Sequence, residues 1–531
     1  MVKRITKLTV FMVFLFALLY MRLFIIINND EYTSAGKGQG SMSIKIDSAD
    51  GNIYDRDFEL LVNDTVKYTA IINPTSEAVR EILPYVENQE EFYNSLVYGK
   101  PFSCEVSRSD FESEDITVFE IPERNSKNQL AKHVIGYVQN GSGMTGIESS
   151  YNDFLRSAAK ENSVTYSVDG RGHALEGLGK EVKSAGKMVS GVVLTIDRKI
   201  QQITEKAAKK MKKGAVIVMD SESGDILAMV SVPDYDFDDL ESALQDEASP
   251  LINRCLYSYN VGSIFKLITA QAAFESGINE DYSYECTGSN EVGSQIFKCH
   301  DINGHGKQDM YEAMTNSCNT YFIDVGQRID SKIFIETALK MGFGRSTILA
   351  STIVSSSGNI PTEAELSLPA EKANFSFGQG KLLASPLQVG AMTCAIANDG
   401  KLPVPRLVRG ITQDGKSISD ENKRRYTRVL DRTETFRLQD LMIKAVNDNE
   451  DSNARPENTF AAGKTSTAQT GRYDKNKTEI CHGWITGYFP VSRPKYAVTV
   501  LCEDGGFGND CAAPVFREIA ENITEKICEK D

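Results

Sequence analysis

The feature that most restricts how this chain can fold is an apolar run close to its N-terminus, Leu8–Ile27. A helix of about 20 apolar residues is long enough to cross the hydrocarbon core of a bilayer. Lys3, Arg4 and Lys7 precede the run, and basic residues favour the cytoplasmic side of a membrane span. We therefore expect a single-pass membrane protein whose N-terminus is inside and whose bulk is outside.

This interpretation predicts a cytoplasmic tail at residues 1–6 and a transmembrane anchor at residues 7–28. The anchor contacts the membrane through residues 8–27. A cleaved signal peptide is the alternative interpretation. The run is long for a signal peptide, and residues 28–31, Asn-Asn-Asp-Glu, offer no small-residue cleavage site. An uncleaved anchor is thus predicted, with the rest of the chain on the extracytoplasmic face of the cell membrane.

The charge balance excludes one broad class of function. Across 531 residues, 73 acidic and 58 basic side chains give a formal net charge of −15 at pH 7. Nucleic-acid binding needs a clustered basic surface, and the sequence contains no such cluster. No nucleic-acid partner is therefore expected, while 41% hydrophobic residues are enough for a large core.

Strand-like and helical patterns alternate after about residue 186. Patterns typical of buried strands occur both early and late in this part: 192–197, 215–220, 226–230, 484–488 and 496–502. A sheet closed by strands from both ends of a domain, with helices between them, indicates an α/β (α+β) fold. We therefore predict one domain at residues 186–531, preceded by a mixed α/β module at residues 29–185 that has no catalytic constellation.

Ten cysteines in an exported chain permit disulfides. The spacings of Cys286 with Cys299 and of Cys502 with Cys511 suit local pairs, but the connectivity cannot be deduced from sequence. No zinc-binding spacing is evident, and Cys299 with His300 is interpreted as part of a loop. Neither a metal nor an organic cofactor is expected.

Ser263 and Lys266 form the first candidate catalytic element. They follow Gly262 and open an apolar run, 267–270, so a helix is predicted to begin at the serine. Residues three apart on a helix share a face. A serine hydroxyl is a weak nucleophile, and a lysine whose pKa is lowered by burial can accept its proton. Ser263 is therefore the candidate nucleophile and Lys266 the candidate base, although Ser-x-x-Lys alone is a common pattern.

The second element is Ser317-Cys318-Asn319. The hydroxyl of Ser317 could relay a proton to a leaving group, and the amide of Asn319 could hold a substrate carbonyl. A helix-capping serine followed by a structural asparagine is the alternative for this segment taken alone.

The third element is Lys464-Thr465-Ser466-Thr467. On an edge strand, a lysine and a hydroxyl can fix an anionic substrate terminus, and a backbone N–H can face a developing oxyanion. For this segment taken alone, an ordinary exposed lysine on a strand is the alternative.

Together and in this order, the three elements resemble the Ser-x-x-Lys, Ser-x-Asn and Lys-Thr-Gly motifs of penicillin-binding proteins and serine β-lactamases. Other segments along nearly the whole chain are similar to class B penicillin-binding proteins: Gly51–Arg56, His133–Tyr137, Gly146–Glu148, Asn260–Gly262, Phe377–Gly380, Ser385–Gln388 and Gly487–Pro490. The resemblance predicts a transpeptidase domain with a fold like that of the serine β-lactamases, and a non-catalytic dimerisation or pedestal domain at residues 29–185.

The resemblance further implies a peptidoglycan D,D-transpeptidase with a carboxypeptidase side activity. Ser263 would attack the penultimate D-alanine carbonyl of a stem peptide, D-alanine would leave, and an amine from a neighbouring strand would accept the acyl group. The oxyanion would lie between the backbone N–H groups of Ser263 and Thr467, with Lys464 and Thr465 near the substrate carboxylate. β-Lactams would acylate the same serine, and the expected protein partner is a membrane glycosyltransferase of the cell-wall machinery.

Ser466 departs from the family pattern, which normally has glycine at this position. A side chain there could narrow the cleft, because glycine lets a substrate backbone approach a strand closely. We therefore expect that Ser466→Gly raises the rate of acylation by a penicillin.

Three alternatives share the motifs. A β-lactamase would need a glutamate that activates water, and residues 363–367, Glu-Ala-Glu-Leu-Ser, are only a faint match to such a loop. A β-lactam sensor would need a cytoplasmic effector domain, whereas about six residues precede the predicted anchor. A scaffold with catalysis weakened by Ser466 is the third alternative, and the intact Ser263 and Lys266 argue against it.

Overall fold

The computed structural model describes residues 2–28, 40–47, 50–126, 128–159, 161–175 and 177–527. The chain divides into two compact units. The first unit comprises residues 1–50, 63–124 and 158–188, and the second comprises residues 51–62, 125–157 and 189–531. Residue 1 and residues 29–39, which belong to the predicted tail and the start of the predicted module, lie outside the described residues.

Helix α1, Val2–Asn28, contains the apolar run. Its segment Lys3–Ile25 has a mean hydropathy of 2.3 and is the one helix in the described part of the chain that is long and apolar enough to cross a membrane. Its large side chains, such as Phe14 and Leu19, are exposed. A helix that satisfies its own backbone hydrogen bonds and presents apolar side chains outward suits a lipid environment.

The first unit also contains two three-stranded antiparallel sheets. In the first, strand 161–167 lies between strands 41–47 and 180–183; in the second, strand 66–72 lies between strands 102–106 and 116–122. Two helices accompany these sheets, Ser76–Ile82 and Gln89–Leu96.

The centre of the second unit is a five-stranded antiparallel sheet. Its strands, in chain order, are β1 Gly214–Asp220, β2 Ile226–Val232, β3 Ala462–Tyr473, β4 Glu479–Phe489 and β5 Tyr496–Cys502. Their spatial order is β2-β1-β5-β4-β3, so β3 is an edge strand. The predicted closure of one sheet by early and late strands is confirmed.

Helices cover both faces of this sheet. Side chains alternate along a strand, and Ala215, Ile217 and Met219 of β1 enter one apolar cluster while Val216 and Val218 enter another. The principal helices are α2 Arg198–Ala208, α3 Lys266–Glu275, α4 Asn319–Arg328, α5 Pro386–Ala397 and α6 Ala513–Lys526. Helix α5 packs on one face of the sheet, and α2 and α6 pack on the other.

The other α-helices of the second unit in the described part of the chain are Lys132–Ile135, Gly146–Ser150, Asn152–Ser157, Leu240–Gln245, Met310–Thr315, Ser331–Lys340, Glu363–Leu366, Pro369–Ser376, Arg432–Asn447 and Gly508–Cys511. Helix α3 is apolar and buried on nearly all sides, which is typical of a helix at the centre of a domain. Its first turn carries the candidate catalytic lysine.

A second, four-stranded sheet explains why residues 51–62 belong to the second unit. Strand Asn52–Tyr54 pairs in parallel with strand Gly191–Leu194, which pairs with strand Val408–Thr412. The compact units therefore interleave along the chain, whereas the predicted boundary at residues 185 and 186 is a single cut. The functional division into a non-catalytic module and a transpeptidase domain stays a prediction.

Candidate active site

Ser263 lies in a turn of 3-10 helix, Gly262–Phe265, that leads directly into helix α3. The 3-10 turn begins one residue before the predicted helix start at Ser263, and the α-helix itself begins three residues after it, at Lys266. Gly262 has a φ of +62°, a conformation that glycine adopts without steric cost, and its N–H donates to the carbonyl oxygen of Gly378 at 2.8 Å. The side chain of Ser263 is partly exposed and, among the described residues, its hydroxyl makes no hydrogen bond.

Lys266 joins the first two motifs. Its side chain is fully buried, and its amine donates to the Ser317 carbonyl oxygen at 2.7 Å, to Asn319 Oδ1 at 2.8 Å and to Ser317 Oγ at 3.3 Å. Burial lowers the pKa of Lys266 to about 8, against the opposing effect of Cys318 and Cys299. A lysine with such a pKa is partly neutral near physiological pH, as a general base requires.

Ser317 has a left-handed backbone, with a φ of +50°. It follows the helix Met310–Thr315 and precedes α4, whose N-cap position is Cys318. A non-glycine residue in this region is strained and is found preferentially at functional sites. The conformation turns both the carbonyl oxygen and the hydroxyl of Ser317 toward Lys266, so the alternative of a simple helix cap does not describe this serine.

Lys464 lies on edge strand β3 with a side chain that is only 3% exposed. Burial, together with the positive charge of Lys266, lowers the pKa of Lys464 to about 7. The alternative of an exposed strand lysine is therefore wrong. Thr465 and Thr467, on the same strand, are partly exposed, and Thr467 Oγ1 accepts a hydrogen bond from the Gly508 N–H at 3.3 Å.

Ser466 is also buried, with 3% of its surface exposed. Its hydroxyl donates to the carbonyl oxygen of Val261 at 2.7 Å. The hydroxymethyl group is therefore directed at the loop before Ser263, a position that the sequence alone did not indicate.

The structure also assembles a cluster that the sequence analysis missed. Ligand atoms of Cys286, Cys299, His305 and Cys318 all lie within 4.8 Å of one another, and the three cysteines are buried. The spacing of these residues in the sequence, Cys-x12-Cys-x5-His-x12-Cys, lacks the short Cys-x2–4-Cys interval typical of zinc sites. The interpretation of Cys299 with His300 as part of a loop did not consider His305, and the expected absence of a metal stays a prediction.

Three distances in this cluster are close to those of a tetrahedral ion site. His305 Nδ1 lies 3.5 Å from Cys286 Sγ and 3.6 Å from Cys299 Sγ, and Cys299 Sγ lies 3.8 Å from Cys318 Sγ. Around Zn²⁺ in tetrahedral geometry, Zn–S bonds of about 2.3 Å and Zn–N bonds of about 2.0 Å separate two sulfurs by about 3.8 Å and a sulfur from a nitrogen by about 3.5 Å. Three thiolates and one imidazole are also a ligand set that Zn²⁺ prefers.

All nine cysteines in the described part of the chain are thiols rather than disulfides. The pairs suggested by spacing, Cys286 with Cys299 and Cys502 with Cys511, are accordingly reduced in this structure.

Comparison with known proteins identifies the family. Residues 214–521 match the model of the penicillin binding protein transpeptidase domain. The chain is 26% identical to the peptidoglycan D,D-transpeptidase MrdA of Haemophilus influenzae, covering 93% of this chain and 87% of that protein. It is also 26% identical to the stage V sporulation protein D of Bacillus subtilis, covering 97% of this chain and 84% of that protein.

Solved structures share the fold. One solved structure is of a peptidoglycan synthase complex that coordinates polymerization and crosslinking. The match has a TM-score of 0.71 at 24% identity and covers 97% of each chain. Another, the complex between penicillin-binding protein PBP2 and MreC from Helicobacter pylori, has a TM-score of 0.65 at 24% identity and covers 91% of this chain and 99% of that one. The predicted fold class is therefore confirmed, and the chain belongs to the penicillin-binding protein transpeptidase family.

Proposed function

We propose that this protein is a peptidoglycan D,D-transpeptidase that works through an acyl-enzyme on Ser263. The observation that carries the proposal is the triple hydrogen bond of the buried Lys266 amine to Ser317 and Asn319. These bonds bring the first two motifs into one site, and the electrostatic effect of Lys266 on Lys464 couples the third motif to them. The names of the curated relatives, among them MrdA of Haemophilus influenzae, support peptidoglycan as the substrate.

In the proposed acylation, neutral Lys266 accepts the proton of the Ser263 hydroxyl as the serine oxygen bonds to the carbonyl carbon of the penultimate D-alanine. The backbone N–H groups of Ser263 and Thr467 stabilise the oxyanion. The bond to the terminal D-alanine then breaks, and its amine receives a proton relayed through the Ser317 hydroxyl. The Ser263 hydroxyl has no hydrogen-bond partner among the described residues, and such contacts are often loose before substrate binds.

The second half-reaction reverses these roles. An amine from a neighbouring stem peptide attacks the ester carbonyl, and its proton passes to neutral Lys266, relayed through the Ser317 hydroxyl. Lys266 then gives a proton to the Ser263 oxygen, which leaves as the hydroxyl. Water in place of the amine would give the carboxypeptidase side activity. Protonated Lys464, with the Thr465 hydroxyl, would hold the substrate carboxylate, and a β-lactam would form the same ester with Ser263 as its ring opens.

The β-lactamase alternative has little support in the site. Glu365, in the segment considered for water activation, forms a capping box with Thr362 at the start of helix Glu363–Leu366 and an ion pair with Lys381 at 2.6 Å. These are local structural roles on the surface. The same intact site argues against a scaffold without catalysis.

We propose further that α1 is a membrane anchor with its N-terminus in the cytoplasm, so that the chain after α1 is extracytoplasmic. Lys3, Arg4 and Lys7 at the start of α1 support this orientation. A membrane glycosyltransferase is the proposed partner, and the peptidoglycan synthase complex and the PBP2–MreC complex among the structural neighbours are consistent with such an assembly.

The Cys286, Cys299, His305 and Cys318 cluster is proposed to hold a structural Zn²⁺. Four protein ligands fill a tetrahedral shell, and closed sites of this kind stabilise the fold rather than take part in the reaction. Cys318 lies between Ser317 and Asn319, so the ion would fix the turn that contacts Lys266. The donor set and the distances given above support the proposal.

The test of the proposed function is mass spectrometry of the detergent-solubilised full-length chain after incubation with benzylpenicillin. We expect an adduct of the mass of penicillin on the peptide that contains Ser263, and no adduct in Ser263→Ala. A stable adduct on another peptide, or none in the wild type, would overturn the assignment. Rapid turnover of nitrocefin would instead favour the β-lactamase alternative.

A further inference from the structure

Ser466 occupies the position at which the family normally has glycine, yet its side chain does not face solvent. It is 3% exposed, and its hydroxyl donates to the backbone carbonyl oxygen of Val261 at 2.7 Å. Val261 lies two residues before Ser263, and Ser466 lies one residue before Thr467. One side-chain hydrogen bond therefore links the two segments that supply the proposed oxyanion donors.

Gly262 makes room for this hydrogen bond. A Cβ atom at position 262 would collide with Ser466 Oγ and would lie 3.2 Å from both Cα and Cβ of Ala468. The φ of Gly262, +62°, also disfavours any side chain there. Ser466 and Gly262 are thus complementary in shape, because the hydroxyl fills the space where a side chain at 262 would stand.

The loop before the nucleophile is held from three directions. Trp484 Nε1 on β4 donates to the Asn260 carbonyl oxygen at 3.0 Å, and the Gly262 N–H donates to the Gly378 carbonyl oxygen at 2.8 Å. Ser466 supplies the third contact, from β3, and is paired with Trp484 across the two strands. Of these three contacts, only the one from Ser466 comes from the strand that also carries Thr467.

We propose that Ser466 is a positioning residue for the oxyanion hole, and that its hydroxyl fixes the distance between the N–H groups of Ser263 and Thr467. The inference rests on the proposed acyl-enzyme at Ser263. Donors of an oxyanion hole act by being held in place before charge develops, so a bond that sets their separation acts on the acylation step and not on the first binding of the ligand. This reverses the expectation that Ser466 narrows the cleft and slows acylation.

Stopped-flow acylation of the full-length chain by a fluorescent penicillin tests the proposal, because it separates the dissociation constant of the first complex from the rate constant of acylation. For Ser466→Ala and Ser466→Gly we expect an acylation rate constant lower by about tenfold, with the dissociation constant little changed. The loss should be smaller than the roughly 10²–10³-fold effect of removing an oxyanion donor outright. Ser466→Thr, which keeps the hydroxyl, should regain most of the rate.

Thr499→Val is the matched control. Thr499 is fully buried on β5 and its hydroxyl pairs with Thr486 Oγ1 at 2.8 Å. Its loss removes a buried hydroxyl hydrogen bond from the same sheet without touching the loop before Ser263. We expect it to lower the melting temperature at least as much as Ser466→Ala while acylation keeps the wild-type rate constant.

Three outcomes would overturn the proposal: unchanged acylation in Ser466→Ala, faster acylation in Ser466→Gly, or an equal loss of rate in Thr499→Val. The last result would show that general loosening of the sheet explains the effect. Failure of the wild-type chain to form an adduct on Ser263 is a different result, because it would count against the proposed function itself.

Discussion

The amine of Lys266 lies 2.7 Å from the backbone carbonyl oxygen of Ser317, which is held in a left-handed conformation to receive it. Asn319 Oδ1 accepts a second hydrogen bond from the same amine at 2.8 Å. Both acceptors stabilise the charged form of Lys266, whereas burial favours its neutral form. Burial dominates, so the pKa of Lys266 is lowered. The base is thereby oriented and kept close to the pKa at which it can exchange protons.

Removal of this amine should abolish acylation. We expect Lys266→Gln to lower the acylation rate constant by about 10³-fold or more, because the hydroxyl of Ser263 then has no base. Lys372→Gln is the control, since Lys372 is also a lysine whose pKa burial lowers, but its amine donates to the Gln327 carbonyl oxygen. Acylation is followed by fluorescence, and a rapid reaction in Lys266→Gln would assign the base to another residue.

Binding of a β-lactam carboxylate should weaken as the pH rises above about 7. Burial and the charge of Lys266 lower the pKa of Lys464 to about 7, so the protonated amine that attracts the carboxylate is lost above that pH. In Lys464→Arg the guanidinium stays charged, and this part of the pH dependence should disappear. The dissociation constant of the first complex, measured between pH 6 and pH 9, checks the prediction; an identical pH profile in Lys464→Arg would contradict it.

The purified protein should contain about one zinc ion per chain. We expect Cys286→Ser to lose most of this zinc and to melt at a lower temperature, because the folded state loses binding free energy. Cys394→Ala is the control, since Cys394 is buried in α5 outside the cluster. Metal content is measured by inductively coupled plasma mass spectrometry, and a zinc content below about 0.1 per wild-type chain purified without chelator would refute the prediction.

A side chain at position 378 should disturb the loop before the nucleophile. The Cβ atom of Gly378→Ala would collide with the carbonyl oxygen of Gly262, and Gly378 has a φ of +79°. Gly277→Ala is the control that has the backbone strain without the collision. Gly277 has a φ of +78°, but nothing lies within 4 Å of a new Cβ atom there. We expect Gly277→Ala to cost about 1–3 kcal/mol of stability with normal acylation, and Gly378→Ala to lower acylation as well. Denaturant unfolding measures the loss of stability, and acylation kinetics measure the loss of rate. Normal acylation in Gly378→Ala would show that the loop adapts.

The sequence by itself determined the elements whose signals are local. The length and apolar composition of Leu8–Ile27 predicted the membrane helix. Runs such as Ala215–Val218 predicted strands, because the strands of a sheet covered on both faces carry apolar side chains on both faces. The three motifs predicted the candidate site residues, because each motif is a short run of sequence and the three occur in the family's order along the chain. The roles of those residues stay predictions until the acyl-enzyme is tested.

Only the tertiary structure decided which distant groups meet. The side chain of Ser466 bonds to Val261, 205 positions earlier in the chain, and no local pattern shows toward which side of an edge strand that hydroxyl turns. Cys286, Cys299, His305 and Cys318 come together because a loop and the N-terminus of α4 pack at one point. Residues 51–62 join the second unit through a parallel strand pair, a long-range hydrogen-bonded contact that periodicity does not encode.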